Sequence, residues 1–182
     1  AYHGTTQASA AISPSLGPNN TVPDYVVTVP APDPLRDPSE EGASAALFAQ
    51  RVEDAITVLE RRGVKFSALI IDSVLSSDGL VTHPEGLLRP AVDVAHKRGG
   101  LYIADEVQPG FGRLGSAWWG FVRHSVEPDL VVLGKPMGNG LPISAVVGKR
   151  EHMDAFGRDV RYFNTFGGTP VSIAAANAVL DE

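Results

Sequence analysis

The sequence predicts an α/β fold in which a largely parallel sheet is flanked by helices. Short apolar runs alternate along the chain with segments of helical spacing, which is typical of such folds. The run Ala68 to Asp72 is apolar up to its final acid, as in a strand buried on both faces. The 182 residues correspond to about one domain. With 43% hydrophobic and 20% charged residues, the chain has enough apolar surface to fold.

Each element follows from a local pattern. Apolar runs predict four strands: Ala68 to Asp72, Leu101 to Val107, Leu130 to Leu133 and Ile143 to Val147. Helical spacing or alanine content predicts three helices: Ser44 to Arg62, 87–98 and Val171 to Leu180. In the remaining N-terminal part, residues 1–24 are predicted to form a loop after a short helical start. A β-branched run follows at 25–29, and a proline-rich stretch at 30–38.

Composition excludes several classes of function. The formal charge is −6, from 15 basic and 21 acidic residues, so no nucleic-acid partner is expected. The chain has no cysteine, which excludes disulfides, thiolate metal sites and a cysteine nucleophile. The five histidines show no ligand spacing, so no metal site is expected. No apolar run approaches the ~20 residues of a membrane span, and Ala1 to Gly4 do not have the character of a signal peptide. No membrane partner and a cytoplasmic location are therefore expected.

Two acids lie near the end of the second of these apolar runs. Asp105 and Glu106 end a buried strand, where an unpaired charge is costly. A Mg²⁺-binding acid of an ATPase would need a G-x-x-x-x-G-K-[ST] loop, which the sequence lacks. An acid that caps a neighbouring helix remains an alternative. Because ligands collect at the carboxyl ends of parallel strands, these acids are candidate site residues.

The stretch Gly110 to Gly115 has the form G-x-G-x-x-G. In a dinucleotide-binding fold it would join a strand directly to a helix, but Gln108-Pro109 intervenes and 116–119 opens a helix poorly. The glycines are predicted to form a turn instead, with Trp118 and Trp119 as packing residues.

A glycine-flanked lysine follows the strand predicted at 130–133. A partly desolvated Lys135, at a strand end in the stretch Gly134 to Gly140, could serve as an amine nucleophile. A surface lysine in a turn is the alternative. An acid for a pyridine nitrogen and a lysine for an imine are the two protein groups that pyridoxal phosphate requires, which favours Asp105 and Lys135 as a pair.

Four motifs in order resemble the class III (ω-type) aminotransferases, near the branch of alanine–glyoxylate aminotransferases and phospho-lyases. The motifs are Ala1 to Gly4, Ile103 to Arg113, Leu133 to Gly140 and Asn164 to Pro170. The resemblance implies the central part (1–182) of the large domain of the fold-type I pyridoxal-phosphate enzymes. It further implies transfer of an amino group from an amino acid or amine to a keto acid or aldehyde by a homodimer or higher oligomer.

The resemblance also implies residue roles. Asp105 would keep the pyridine nitrogen protonated, and Lys135 would hold the cofactor as an aldimine and then move protons. Val107 would press on one ring face and Tyr2 on the other, with His3 beside it. Two further residues would bind polar groups of the cofactor: Gln108 its phenolic oxygen, and Thr165 its phosphate, from the neighbouring subunit.

The sequence departs from the family where many members have Glu-Pro. Here Asp72-Ser73 stands in that place, and Ser73 with Ser76 is more like the alanine–glyoxylate and phospho-lyase branch. The family's Gly-Ser phosphate loop and its substrate-carboxylate arginine lie outside these residues. The 182 residues alone are therefore expected to be inactive. A phospho-lyase on the same scaffold and an inactive truncated fragment remain the alternatives.

Overall fold

The computed structural model describes residues 1–33 and 44–182. The proline-rich stretch therefore lies partly outside the described residues, at 34–38. Five α-helices occur in the described part of the chain: α1 (Gln7–Ala11), α2 (Ser44–Arg61), α3 (Arg89–Lys97), α4 (Arg150–Asp159) and α5 (Pro170–Asp181). They accompany four strands: β1 (Ala68–Asp72), β2 (Leu101–Asp105), β3 (Leu130–Leu133) and β4 (Ala145–Gly148). Two described 3₁₀ helices connect them, Pro14–Leu16 and Gly120–His124.

The strands form one sheet in the order β1-β2-β3-β4. The first three strands are parallel, and β4 runs antiparallel to β3. Asp72 is paired in register with Asp105, and Asp105 with Val132. Parallel strands end at the same edge of a sheet, so the residues after β1, β2 and β3 lie side by side. The predicted α/β class and mostly parallel sheet are confirmed.

The main core lies between the sheet and two helices. Helix α2 packs on α3, and α3 lies against β1 and β2. The buried face of α2 follows its apolar spacing, at Phe48, Val52, Ile56 and Leu59. Burying each such side chain contributes roughly 1.5–3 kcal/mol, so this helical layer is a main support for the strand ends.

Several predicted boundaries differ from the structure. Strand β2 ends at Asp105 rather than at residue 107, because a turn begins there and the Gly110 amide donates to the Glu106 carbonyl at 3.0 Å. Strand β4 covers 145–148 rather than 143–147, and α3 covers 89–97 rather than 87–98. The run at 25–29 forms no strand, although Val27 and Val29 pack against the core.

Helix α4 is absent from the predicted elements. It buries none of its residues, and its apolar residues Met153 and Phe156 are exposed. None of the described helices has both the length and the apolar character that a membrane span requires.

Candidate active site

Asp105 lies buried at the carboxyl edge of the sheet, and both of its oxygens are engaged. Oδ1 accepts a hydrogen bond from the Val107 amide at 3.0 Å, and Oδ2 lies 2.8 Å from Nδ1 of His3. Because an ionised carboxylate only accepts, Nδ1 of His3 is the donor. The imidazole and the carboxylate are both almost completely buried, with side-chain exposures of 5% and 9%. The structure thus brings two predicted site residues into direct contact.

A buried serine holds the loop that carries His3. The Ser13 hydroxyl accepts from the His3 amide at 2.8 Å and donates to the Ser9 carbonyl at 2.7 Å. Ser13 has no exposed surface. No motif in the sequence marks this residue, and only the folded loop shows that it fixes the position of His3.

Val107 and the lysine loop approach each other closely. A Cβ atom at Gly134 would lie 3.1 Å from Cγ1 of Val107, which is tighter than ordinary contact. Glycine at 134 therefore lets the chain after β3 pass next to Val107. Gln108 follows Val107 and is half-buried. The close approach places Lys135 one residue from the Val107 contact.

Lys135 is exposed and lines a cavity of about 640 Å³ together with Tyr162, Asn164 and Phe166. The partial desolvation that the sequence predicts for this amine is therefore not provided by the described residues. Thr165 is exposed in the turn between Asn164 and Phe166, and it does not itself line this cavity.

Tyr2 lies on a different cavity. It is 38% exposed and lines a space of about 340 Å³ between the N-terminal segment and β1, together with His3 and Asp72. In the described part of the chain, His3 thus contacts Asp105, and Gly134 lies close to Val107. The described residues bring neither Tyr2 nor Thr165 into the cavity that Lys135 lines.

Asp72 has a local structural role. Its Oδ1 accepts from the Val74 amide at 2.9 Å, and Oδ2 accepts from the amide of Ser76 at 3.1 Å and from the Ser76 hydroxyl. The carboxylate caps the loop that follows β1. This binding of its own loop distinguishes Asp72 from Asp105, although the two are paired in register.

The G-x-G-x-x-G stretch forms the predicted turn. Gly112 and Gly115 have φ angles of +70° and +74°, and the Gly112 amide donates to the Trp118 carbonyl at 3.0 Å. Trp119 packs edge-to-face on Phe111 with ring centroids 5.0 Å apart. The glycines shape this turn, and the tryptophans pack as predicted.

The described residues contain no cluster of three or more His, Cys, Asp or Glu residues that could hold a metal ion. The acid of Asp105 and the amine of Lys135 follow neighbouring strands, and the imidazole of His3 reaches the acid from the N-terminal segment. Such groups can hold and move protons.

The sequence pattern of the family described as aminotransferase class-III matches residues 1–182. The chain belongs to the class III aminotransferase family. A Drosophila melanogaster protein named alanine–glyoxylate aminotransferase 2-like is 41% identical over 99% of this chain. A Caenorhabditis elegans protein named ethanolamine-phosphate phospho-lyase homolog 1 is 34% identical, also over 99% of this chain.

Solved structures of class III aminotransferase relatives share the whole described fold. An Arthrobacter phospholyase in complex with phosphoethanolamine is 40% identical over the full chain, with a TM-score of 0.89. A Bacillus anthracis aminotransferase is 29% identical over 99% of the chain, with a TM-score of 0.80. The chain spans 38% of the Drosophila protein and 43% of the Arthrobacter chain. The fold is that of the fold-type I aminotransferase structures.

Proposed function

We propose that the full-length protein is a pyridoxal-phosphate-dependent transaminase that moves an amino group from an amino acid or amine to a keto acid or aldehyde. The observation that carries the proposal is the pairing of Asp105 with Val132, three residues before Lys135. It supports placing the acid and the amine at the same edge of two neighbouring parallel strands. Membership of the class III aminotransferase family is consistent with that chemistry.

The residues at this edge fit the cofactor that the family uses. The Asp105 carboxylate is pre-positioned by two donors, and it retains lone pairs for a third. Glycine at 134 lets the backbone before Lys135 lie against the Val107 side chain with no side chain of its own between them. Lys135 has an exposed amine. An acid, a flat apolar wall and a free amine are the groups that bind a protonated pyridine ring and its aldehyde.

Pyridoxal phosphate, when bound, supplies an electron sink for the bond that breaks at the substrate carbon. Asp105 would hold the proton at the ring nitrogen, and His3 would hold Asp105. Lys135 would bind the cofactor and then, as a free amine, carry the proton between substrate and cofactor. The remaining predicted contacts would orient the cofactor: Tyr2 and Val107 on the ring faces, Gln108 on the phenolic oxygen and Thr165 on the phosphate.

Assembly and partners follow the same proposal. The full-length protein would be a homodimer or higher oligomer in the cytoplasm, with Thr165 of one subunit serving the site of the other. Thr165 is exposed and does not line the Lys135 cavity of its own chain, which supports a role across a subunit boundary. Its substrates would be small molecules, and neither nucleic acid nor membrane is a proposed partner.

A phospho-lyase is the second candidate function. The Arthrobacter phospholyase has 40% identity and a TM-score of 0.89, which favours this reaction. Lys135 would remove a proton from the amino-bearing carbon of a phosphorylated amino alcohol, with Asp105 in the same role as above. The C–O bond on the adjacent carbon would then break, and phosphate would leave in place of amino transfer.

Product analysis of the full-length protein separates the two reactions. The protein is incubated with pyridoxal phosphate and either amino acids with a keto acid or phosphoethanolamine. Transamination yields a new keto acid and pyridoxamine phosphate, whereas elimination yields free phosphate and ammonia. Neither product set, with cofactor bound, would contradict both proposals and favour an inactive remnant of the fold.

A further inference from the structure

Glu106 is a fully buried acid inside the site motif, with no exposed surface. It stands between Asp105 and Val107, and its carboxylate contacts a set of residues different from theirs. Asp105 meets His3, whereas Glu106 meets the 3₁₀ helix at Gly120 and the end of β1. Glu106 therefore holds the same short stretch of backbone as Asp105 and Val107, through contacts to a different part of the fold.

Three donors converge on the Glu106 carboxylate. Oε2 accepts from the Gly120 amide at 2.7 Å, and Oε1 accepts from the Phe121 amide at 3.0 Å and from the Ser73 hydroxyl. A Cβ atom at Gly120 would lie 2.8 Å from Cβ of Pro109 and 2.9 Å from Cβ of Ser73, so only glycine allows this approach. Burial raises the pKa of Glu106, and the three hydrogen bonds oppose that rise. The carboxylate joins the end of β1, the end of β2 and the 3₁₀ helix.

The Glu106 backbone is fixed as well. Its amide donates to the Val132 carbonyl of β3 at 2.9 Å, and its carbonyl accepts from the Gly110 amide at 3.0 Å. A displacement of Glu106 would therefore move Asp105 and Val107 together relative to β3 and Gly134.

We infer that Glu106 is a positioning residue that sets the places of Asp105 and Val107 for the cofactor. The inference rests on the proposed function for what those two residues bind. The geometry itself does not depend on the proposed function, because it exists in the cofactor-free protein. Loss of one oxygen acceptor would leave a buried backbone amide unsatisfied, and such groups are costly enough to shift the chain.

The test replaces Glu106 with glutamine in the full-length protein. Glu106→Gln keeps the side-chain shape but turns an NH₂ group toward amide and hydroxyl donors. In the cofactor-free variant, hydrogen exchange of the Val107 amide, which bonds to Asp105, should speed up at least ~10-fold. Affinity for pyridoxal phosphate should fall by at least ~10-fold in the folded variant. Exchange is measured without cofactor, so it decides the inference even if the proposed function fails.

Asp129→Asn is the matched control. Asp129 is also buried and accepts three hydrogen bonds, but it precedes β3 at the opposite edge of the sheet. It should lose stability without faster exchange at Val107. Equal acceleration in both variants, or wild-type exchange and cofactor affinity in Glu106→Gln, would overturn the inference.

A second variant tests the positioning role of Glu106 if Glu106→Gln does not fold. Ser73→Ala removes one donor and leaves both backbone donors in place. It should speed exchange at Val107 by a smaller factor, about 2- to 5-fold. Unchanged exchange in a folded Ser73→Ala protein would then count against positioning by Glu106.

Discussion

His3 and Asp105 are 102 positions apart in the chain, and Nδ1 of the imidazole lies 2.8 Å from Oδ2 of the carboxylate. The pair joins the N-terminal loop to the carboxyl edge of the sheet. Through this contact, His3 helps to set how Asp105 faces a ligand. This role is additional to the position beside Tyr2 that the sequence predicts for His3. Each variant named here is a variant of the full-length protein.

His3→Ala should lower the affinity for pyridoxal phosphate about 10-fold, because the Asp105 carboxylate loses one buried donor. Equilibrium dialysis of the cofactor measures the change. His152→Ala serves as the control, since His152 lies near Asp129 at the other end of the sheet. Similar losses in both variants would show that the His3 contact has no special role.

Asp105→Asn should lower turnover by at least ~100-fold, about 2.7 kcal/mol at 1.36 kcal/mol for each factor of ten. The neutral amide cannot hold a proton at the ring nitrogen. Asp72→Asn should cost much less, because the carboxylate of Asp72 caps its own loop. Comparison of kcat/KM for the two variants is the measurement, and equal losses would argue against the assignment of Asp105.

Lys135→Ala should abolish both turnover and fixation of the cofactor to the protein by borohydride. The reason is that Lys135 is the exposed amine next to the contact of Gly134 with Val107. Lys65→Ala, at another exposed lysine, should retain both. Mass spectrometry of the reduced protein locates the attachment, and wild-type fixation in Lys135→Ala would exclude this lysine.

Mixed dimers test the place of Thr165. A Lys135→Ala subunit paired with a Thr165→Ala subunit should regain one intact site, if the threonine acts across the boundary. The other site would carry both defects. Activity of purified heterodimers is compared with that of both parent homodimers. The absence of any recovery would indicate that Thr165 serves the site of its own chain.

Asp129 should make stability depend on acid pH. Burial alone would raise its pKa, but hydrogen bonds from Lys149, the Tyr102 amide and His96 lower the pKa to about 2 from the ordinary 3.8. The folded state therefore gains roughly 2 kcal/mol above pH ~4, which is lost as the pH falls toward 2.

Urea unfolding of wild type and Asp129→Asn between pH 2.5 and 7 tests this prediction of about 2 kcal/mol. The variant should be less stable at neutral pH and should lose less stability on acidification. Asp93→Asn, at an exposed acid of α3, should follow the wild type. A wild-type acid slope in Asp129→Asn would contradict the role of this carboxylate.

Local patterns were sufficient to predict the elements whose burial is regular. Strands β1 and β3 match their predicted limits, and α2 and α5 match theirs to within one residue at either end. Strands β1 and β3 are apolar runs paired with β2, and α2 has an apolar face that packs on α3, so their burial is expressed in residue spacing. Helix α5 was predicted from its alanine content instead, and it buries only Ser172 and Ala176. Helix α4 was not predicted; its sequence is amphipathic, but it buries no residue in the structure.

The motifs were also local, and they allowed Asp105, Lys135 and the glycine turn to be singled out from the sequence. Short segments are sufficient for this, because a strand end, a glycine pair or an acid after a strand is recognised from only a few neighbouring residues. The roles predicted for Asp105 and Lys135 remain predictions, as do those of Tyr2, His3, Val107, Gln108 and Thr165.

The partners of the buried polar groups were decided only by the tertiary structure. The contacts of His3 with Asp105, of Glu106 with Gly120 and of Asp129 with Lys149 join residues 102, 14 and 20 positions apart. An acid in the sequence shows that a charge must be satisfied if it is buried. Which donor satisfies it depends on how loops close and strands align, and those distances follow from the packing of the whole chain.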